Sequence, residues 1–114
     1  MDLALEDDAN GVTRVLLRGR IDTTRAVLIE LPFNTLAAEK SALVVDLTDV
    51  EFLSSYGLRV LLMAAKITHR KGGKLAIVCP DNNVAKVLRT SGGSELIPVF
   101  RDPEAAAAAL APPA

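Results

Sequence analysis

Two adjacent serines, Ser54 and Ser55, stand between a short apolar run and a helical repeat, and theirs are the hydroxyls whose setting could support chemistry. A serine nucleophile needs a base within hydrogen-bond reach. The chain's single histidine, His69, lies about four turns further along the same helix at 1.5 Å per residue. Leu53 stands where the G-x-S-x-G elbow of a serine hydrolase needs its first glycine. No lysine is placed to act instead, so no catalytic residue is expected and the chain is read as a non-enzyme. Ser54 and Ser55 are then left as helix caps or as hydroxyls that another enzyme modifies. His69 is a helix-end residue favourable to the helix dipole.

Other chemistries lack their residues. Arg70-Lys71-Gly72-Gly73-Lys74-Leu75 has glycines and lysines but not the G-x-x-x-x-G-K-[S/T] order that wraps phosphates, and reads as a turn. One histidine cannot begin a typical zinc site. The acidic clusters Glu6-Asp7-Asp8 and Asp46/Asp49/Glu51 lack the calcium loop pattern, so neither metal nor cofactor is expected. Cys79 is the only cysteine and is read as a packed thiol at a strand end. Net charge is -1 with scattered cations and few aromatics, which argues against direct nucleic-acid binding.

The serines are positioned by a strand and a helix. Ala42-Leu43-Val44-Val45, closed by Asp46, reads as a strand buried on both faces. Beyond Gly57, the residues Leu58, Leu61, Leu62 and Ala65 repeat at i, i+3, i+4 and i+7, with Arg59, Lys66 and Arg70 opposite. Ser54 or Ser55 is then the N-cap. Upstream, Asp2 to Glu6 and Val12 to Arg18 read as strands joined at the turn signal Asn10-Gly11. Asp22-Thr23-Thr24 offers caps for a helix, but a proline inside a helix costs about 3 kcal/mol. The expectation is a loose segment to Leu31 and a helix from about Pro32 to Glu39. Downstream come a strand from Leu75 to Cys79, a helix capped by Asp81 or Asn82 with Val84, Val87 and Leu88 inward and Gly92-Gly93 as its stop, and a strand from Ile97 to Phe100. Asp102-Pro103-Glu104 opens a last helix through about Leu110.

Val44 to Leu62, VVDLTDVEFLSSYGLRVLL, resembles the signature of the STAS domains of the anti-sigma-factor antagonists, D-L-x-x-V-x-F-[I/M]-[D/S]-S-[S/A]-G-L-x-x-L-L. Asp46, Leu47, Val50, Phe52, Ser55, Gly57, Leu58, Leu61 and Leu62 match. Gly19-Arg20-Ile21-Asp22 resembles the family's G-x-[I/L]-D, and Gly72-Gly73-Lys74-Leu75 matches downstream, so the likeness spans roughly Val12 to Phe100. The resemblance implies phosphorylation of Ser55 by an ATP-dependent anti-sigma factor that is itself a serine kinase, reversed by a PP2C-type phosphatase. Ser54 is the second candidate for that modification on hydroxyl chemistry alone, and by the same resemblance the unmodified protein would bind the kinase and free a bacterial sigma factor. The implied partner surface is Ser54, Ser55, Tyr56 and Gly57 with the exposed stripe Arg59, Met63, Lys66 and Arg70. The alternative function is a STAS scaffold subunit of a signalling or lipid-transport complex without a phosphorylation cycle. Tyr56 replaces the usual small residue; its ring either meets a partner, shields Ser55, or packs over the sheet edge.

The expected fold is α/β: one STAS-type domain over residues 1–114, core about 2–110 and a flexible tail 111–114, with a mixed sheet of four to five strands and about four helices. A monomer or weak dimer is expected. No apolar run approaches the roughly 20 residues that span a bilayer, and MDLALEDDAN is acidic where a secretory signal is basic and apolar, so a cytoplasmic protein is expected.

Overall fold

The chain begins with a hairpin organised by one carboxylate. Asp8 accepts from the backbone N–H groups of Asn10 at 2.8 Å and Val12 at 3.0 Å, and Gly11 takes the left-handed conformation with φ 82°, which pairs β1 (Leu3–Asp7) antiparallel with β2 (Thr13–Ile21). The computed structural model describes residues 3–80, 82–91 and 97–111. The predicted Gly92-Gly93 stop, the Asp81 cap, the Asp2 strand start and tail residues 112–114 therefore lie outside the described residues. The remaining elements are α1 (Thr23–Glu39), β3 (Ala42–Leu53), α2 (Ser55–Arg70), β4 (Lys74–Val78), α3 (Asn83–Thr90), β5 (Val99–Phe100) and α4 (Pro103–Leu110). The sheet runs β1-β2-β3-β4-β5, and every pair after the first is parallel.

Strand alternation sorts the core into two layers. Leu43, Val45 and Leu47 of β3 face α1, α2 and α3 in the main cluster, while Val44 joins Ala76 and Val78 of β4 under Ala106 and Leu110 of α4. Burial on both faces is what the continuous apolar run requires, and each fully buried aliphatic side chain contributes about 1.5–3 kcal/mol.

The predicted break in α1 does not occur. Asp22 caps the helix by accepting from the Arg25 N–H at 2.9 Å, and the helix continues through Pro32 to Glu39. Its buried residues Ala26, Ile29, Phe33 and Ala37 form one stripe that spans the proline. The cost of about 3 kcal/mol for an interior proline is offset by this stripe, and the carbonyl that loses its donor belongs to Leu28, which is 60% exposed. The inward face of α2 is also rotated from the predicted one. Leu58, Val60, Leu61, Ala64 and Thr68 are buried, whereas Leu62 and Ala65 are only partly so. Thr68 tolerates complete burial because its hydroxyl donates to the Ala64 carbonyl at 2.9 Å. At the other elements the boundaries move by one to three residues. Pro98 limits the last strand to Val99–Phe100, since it has no N–H for the ladder, although its carbonyl accepts from the Ile77 N–H at 2.9 Å.

β3 outruns the expected stop at Asp46 by seven residues, ending at Leu53. Leu16 pairs with Asp46 but Arg18 with Asp49, and Gly19 pairs with Val50 but Arg20 with Phe52. β3 thus carries two extra residues against β2, each a bulge that bends and re-aims the strand. Asp46 is buried inside it, 3% exposed. Its carboxylate accepts from Arg14 Nε and Nη2 at 3.0 and 2.5 Å, and from the Thr48 N–H and hydroxyl at 2.9 and 2.5 Å. Burial pushes the carboxyl pKa up, but the bonds from Thr48 and then Arg14 outweigh it and hold Asp46 below its ordinary value.

α2 ends in a Schellman motif. Gly72, at φ 82°, donates to the His69 carbonyl at 3.0 Å, and Gly73 donates to the Thr68 carbonyl at 2.9 Å. A Cβ on Gly73 would lie 2.6 Å from the Ser41 carbonyl oxygen and 2.9 Å from Thr68 Cγ2. Gly73→Ala is expected to lower unfolding free energy by about 1–3 kcal/mol, the usual cost of overpacking, measured by urea denaturation. Because the folded-state pKa of Asp46 is lowered, its stabilisation is present above the unfolded value of about 3.9 and is lost as pH falls through the folded value. Asp46→Asn should therefore be about 1–3 kcal/mol less stable than the wild type at pH 7, and the gap should narrow as pH falls below about 3.9, in the same measurement repeated at each pH.

Candidate functional site

Parallel pairing brings the ends of β2 and β3 together, with Ile21 opposite Leu53. The residues that follow each strand, Asp22 and Ser54-Ser55, therefore emerge at the same edge of the sheet. The Ser54 N–H donates to the Ile21 carbonyl at 2.9 Å and hooks the turn onto β2. Ser54 itself is extended, at φ -74° and ψ 165°, and its Oγ accepts from the Gly57 N–H at 3.1 Å. Ser54 is thus the N-cap of α2. Ser55 is the first helical residue. It is exposed, and among the described residues its side chain takes no hydrogen bond.

Gly57 holds this geometry from below. A Cβ there would lie 2.9 Å from Leu53 Cδ1, 3.0 Å from Ile21 Cγ2 and 3.3 Å from Ser54 Oγ, so the first turn of α2 rests directly on the ends of β2 and β3. Gly57 itself is buried. Tyr56 is half-buried against the main cluster, and its hydroxyl donates to Glu30 Oε1 of α1 at 2.7 Å. That bond, with partial burial, raises the phenol pKa above its ordinary value. Ser55 beside it is exposed, and the Tyr56 hydroxyl is anchored to α1. The Arg59 guanidinium lies 5.8 Å from the ring centroid, within cation–π range.

From this turn Arg59, Met63, Lys66 and Arg70 run exposed along α2, with Met63 44% exposed. Two neighbours had no signal of their own in the sequence. Glu30 is 26 residues from Tyr56, and Arg20 reaches Phe52, 4.5 Å from guanidinium to ring centroid, only through the bulged register of β2 on β3. His69 ends the helix about 21 Å from Ser55 at 1.5 Å per residue. Cys79 is buried, its Sγ 3.7 Å from Asn82 Oδ1, and burial pushes its thiol pKa up to about 11, which makes it a poor nucleophile. Among the described residues, no three or more His, Cys, Asp or Glu side chains are grouped to hold a metal ion. No helix among them is long and apolar enough to cross a membrane.

The family model of the STAS domain matches residues 7–106. The chain belongs to the STAS domain family. BtrV of Bordetella bronchiseptica, named for an anti-sigma factor antagonist role, is 33% identical over 108 residues, covering 91% of this chain and 90% of BtrV. The anti-sigma F factor antagonist of Paenibacillus polymyxa is 26% identical, covering 88% of both chains. Among solved structures, an anti-sigma factor antagonist from Mycobacterium paratuberculosis superimposes with a TM-score of 0.86 at 28% identity, over 95% of this chain and 92% of that one. In this STAS domain, then, the signature residues divide by task. Asp46 is held inside the sheet, Gly57 seats the helix, and Ser55 faces solvent.

The division of the two serines is measurable by chemical denaturation. Ser54→Ala removes the acceptor for the Gly57 N–H and should destabilise the protein by about 1 kcal/mol, whereas Ser55→Ala should stay within about 0.5 kcal/mol of the wild type.

Proposed function

We propose that this STAS domain is an anti-sigma-factor antagonist: unmodified, it binds an anti-sigma factor with serine kinase activity, and phosphorylation of Ser55 by that kinase ends the binding. The observation that carries the proposal is the pairing of a committed Ser54 with an exposed, uncommitted Ser55 at the start of α2. The names of BtrV and of the Paenibacillus polymyxa and Mycobacterium paratuberculosis proteins support the antagonist role. The Asp46–Leu62 signature supports the choice of serine.

A kinase substrate needs access and a free hydroxyl, not a local base. Phosphate brings about -1.5 to -2 charges and three acceptor oxygens. At Ser55 the dianion sits by the first N–H groups of α2, where the helix dipole favours negative charge, so modification costs the domain little. A partner fitted to the turn meets the opposite situation. It must desolvate a dianion, and the exposed Asp49 and Glu51, close by in sequence, carry the same sign of charge. The switch therefore acts on the surface of the domain rather than on its fold, and a PP2C-type phosphatase resets it. ATP dependence places the cycle in the cytoplasm. The partner surface is the Ser54–Gly57 turn with Arg59, Met63 and Lys66, and Tyr56, clamped by Glu30, supplies a pre-positioned ring edge at its centre.

Incubation with the anti-sigma kinase and labelled ATP, followed by mapping of the modified residue, tests this reading. Ser55→Ala should abolish labelling and keep binding, Ser54→Ala should still be labelled, and Ser55→Asp should weaken binding by about tenfold or more, the effect of a like charge brought into a fitted interface. Undiminished labelling of Ser55→Ala would overturn the assignment.

A further inference from the structure

At the far end of α2 from Ser55, a groove of roughly 580 Å³ opens between α2, β4, β5 and α4. It lies within the size range of small-ligand sites, about 300–1,000 Å³. Among the described residues, β5 pairs with Ile77 and Val78 of β4. The start of β4 is left facing the groove. Leu62 and Ala65 form one wall and Leu110 another, with Leu75, Pro98 and Phe100 between them. Leu62 and Ala65 are the two α2 residues that the sequence placed in the core and the structure leaves only partly buried.

Among the described residues, the polar side chains that line the groove are of one kind. Lys66, His69 and Lys74 stand at its edge, and no carboxylate is among the described residues that line it. Cations near the end of a helix ordinarily complement its dipole, but Lys74 belongs to β4 and lies beyond the Schellman turn, so the dipole does not account for it. An apolar interior without hydrogen-bonding side chains asks for a hydrocarbon body, which gains by leaving water. A rim made only of nitrogen groups asks for an anionic, acceptor-rich head.

We infer that this groove is a binding site for a single-chain amphiphilic anion, an acyl carboxylate whose chain lies along Leu62, Leu75 and Leu110 and whose head meets Lys66 and Lys74. The site is separate from the Ser55 turn and does not depend on the phosphorylation reading. Lys66 is the one residue shared with the proposed partner stripe, so an occupied groove and a bound partner draw on the same cation.

Titration of the isotope-labelled protein with decanoate below its micelle concentration, followed through backbone amide NMR shifts, tests the inference. Saturable shifts centred on Leu62, Ala65, Leu75, Phe100 and Leu110 are expected, with acetate giving none and decanol binding more weakly. Lys74→Glu should weaken decanoate by about tenfold, and Ala109→Glu, at an exposed groove residue, should do the same while the spectrum away from the groove is unchanged. The inference is overturned by the absence of saturable shifts in that set, by equal responses to decanol and decanoate, or by unchanged affinity in both folded variants.

Discussion

The 2.9 Å hydrogen bond from the Ser54 N–H to the Ile21 carbonyl is the joint on which the site depends. It joins the exit of β3 to the exit of β2, two strands separated in sequence by the whole of α1. Once it is made, Ser54 is extended and its Oγ is aimed at the Gly57 N–H. Gly57 then descends onto Ile21 and Leu53, because only a residue without Cβ approaches them this closely. Ser55 is left outside as a geometric consequence. The exposure of that one hydroxyl is therefore set by the register of the parallel sheet.

The register in turn depends on what β3 does with two surplus residues. A regular strand of this length would carry its alternation unbroken from Ala42 to Leu53. Instead the bulges after Asp46 and Val50 reset which side chains face the core, so that Val50 and Leu53 are buried while Asp49, Glu51 and Phe52 are turned outward. The network of Asp46 with Arg14 and Thr48 lies at the first of these resets. A buried carboxylate there is stabilised by donors on both sides, and it fixes the place where the strand departs from regular pairing.

Much of this was legible in the chain, and what was not has a common cause. The N-cap serine, the start of α2 and the order of strands and helices are local signals, carried by cap chemistry and by periods of 2 and 3.6 residues. The unbroken α1 was illegible because the proline penalty is local, whereas the Ala26, Ile29, Phe33 and Ala37 stripe that offsets it is set by packing on α2 and the sheet. The rotation of α2 was hidden by apolar residues on both flanks and by Thr68, a polar type buried through a bond to its own helix. The length of β3 was masked by Thr48, Asp49 and Glu51, whose polarity reads as a loop. The Tyr56–Glu30 bond joins two helices and leaves no pattern along either.

The adjacency of a capping serine and a free one has a consequence for how such a surface evolves and is used. Architecture and information are written in neighbouring but different residues. Ser54 keeps its bond to the Gly57 N–H whatever is attached to Ser55, so on the proposed function a phosphate at Ser55 leaves the helix cap in place. On the proposed function, the proportion of marked molecules would be governed by the enzymes that add and remove the mark. On the same reading, substitutions at Ser55 would alter signalling while leaving a folded protein for selection to act on.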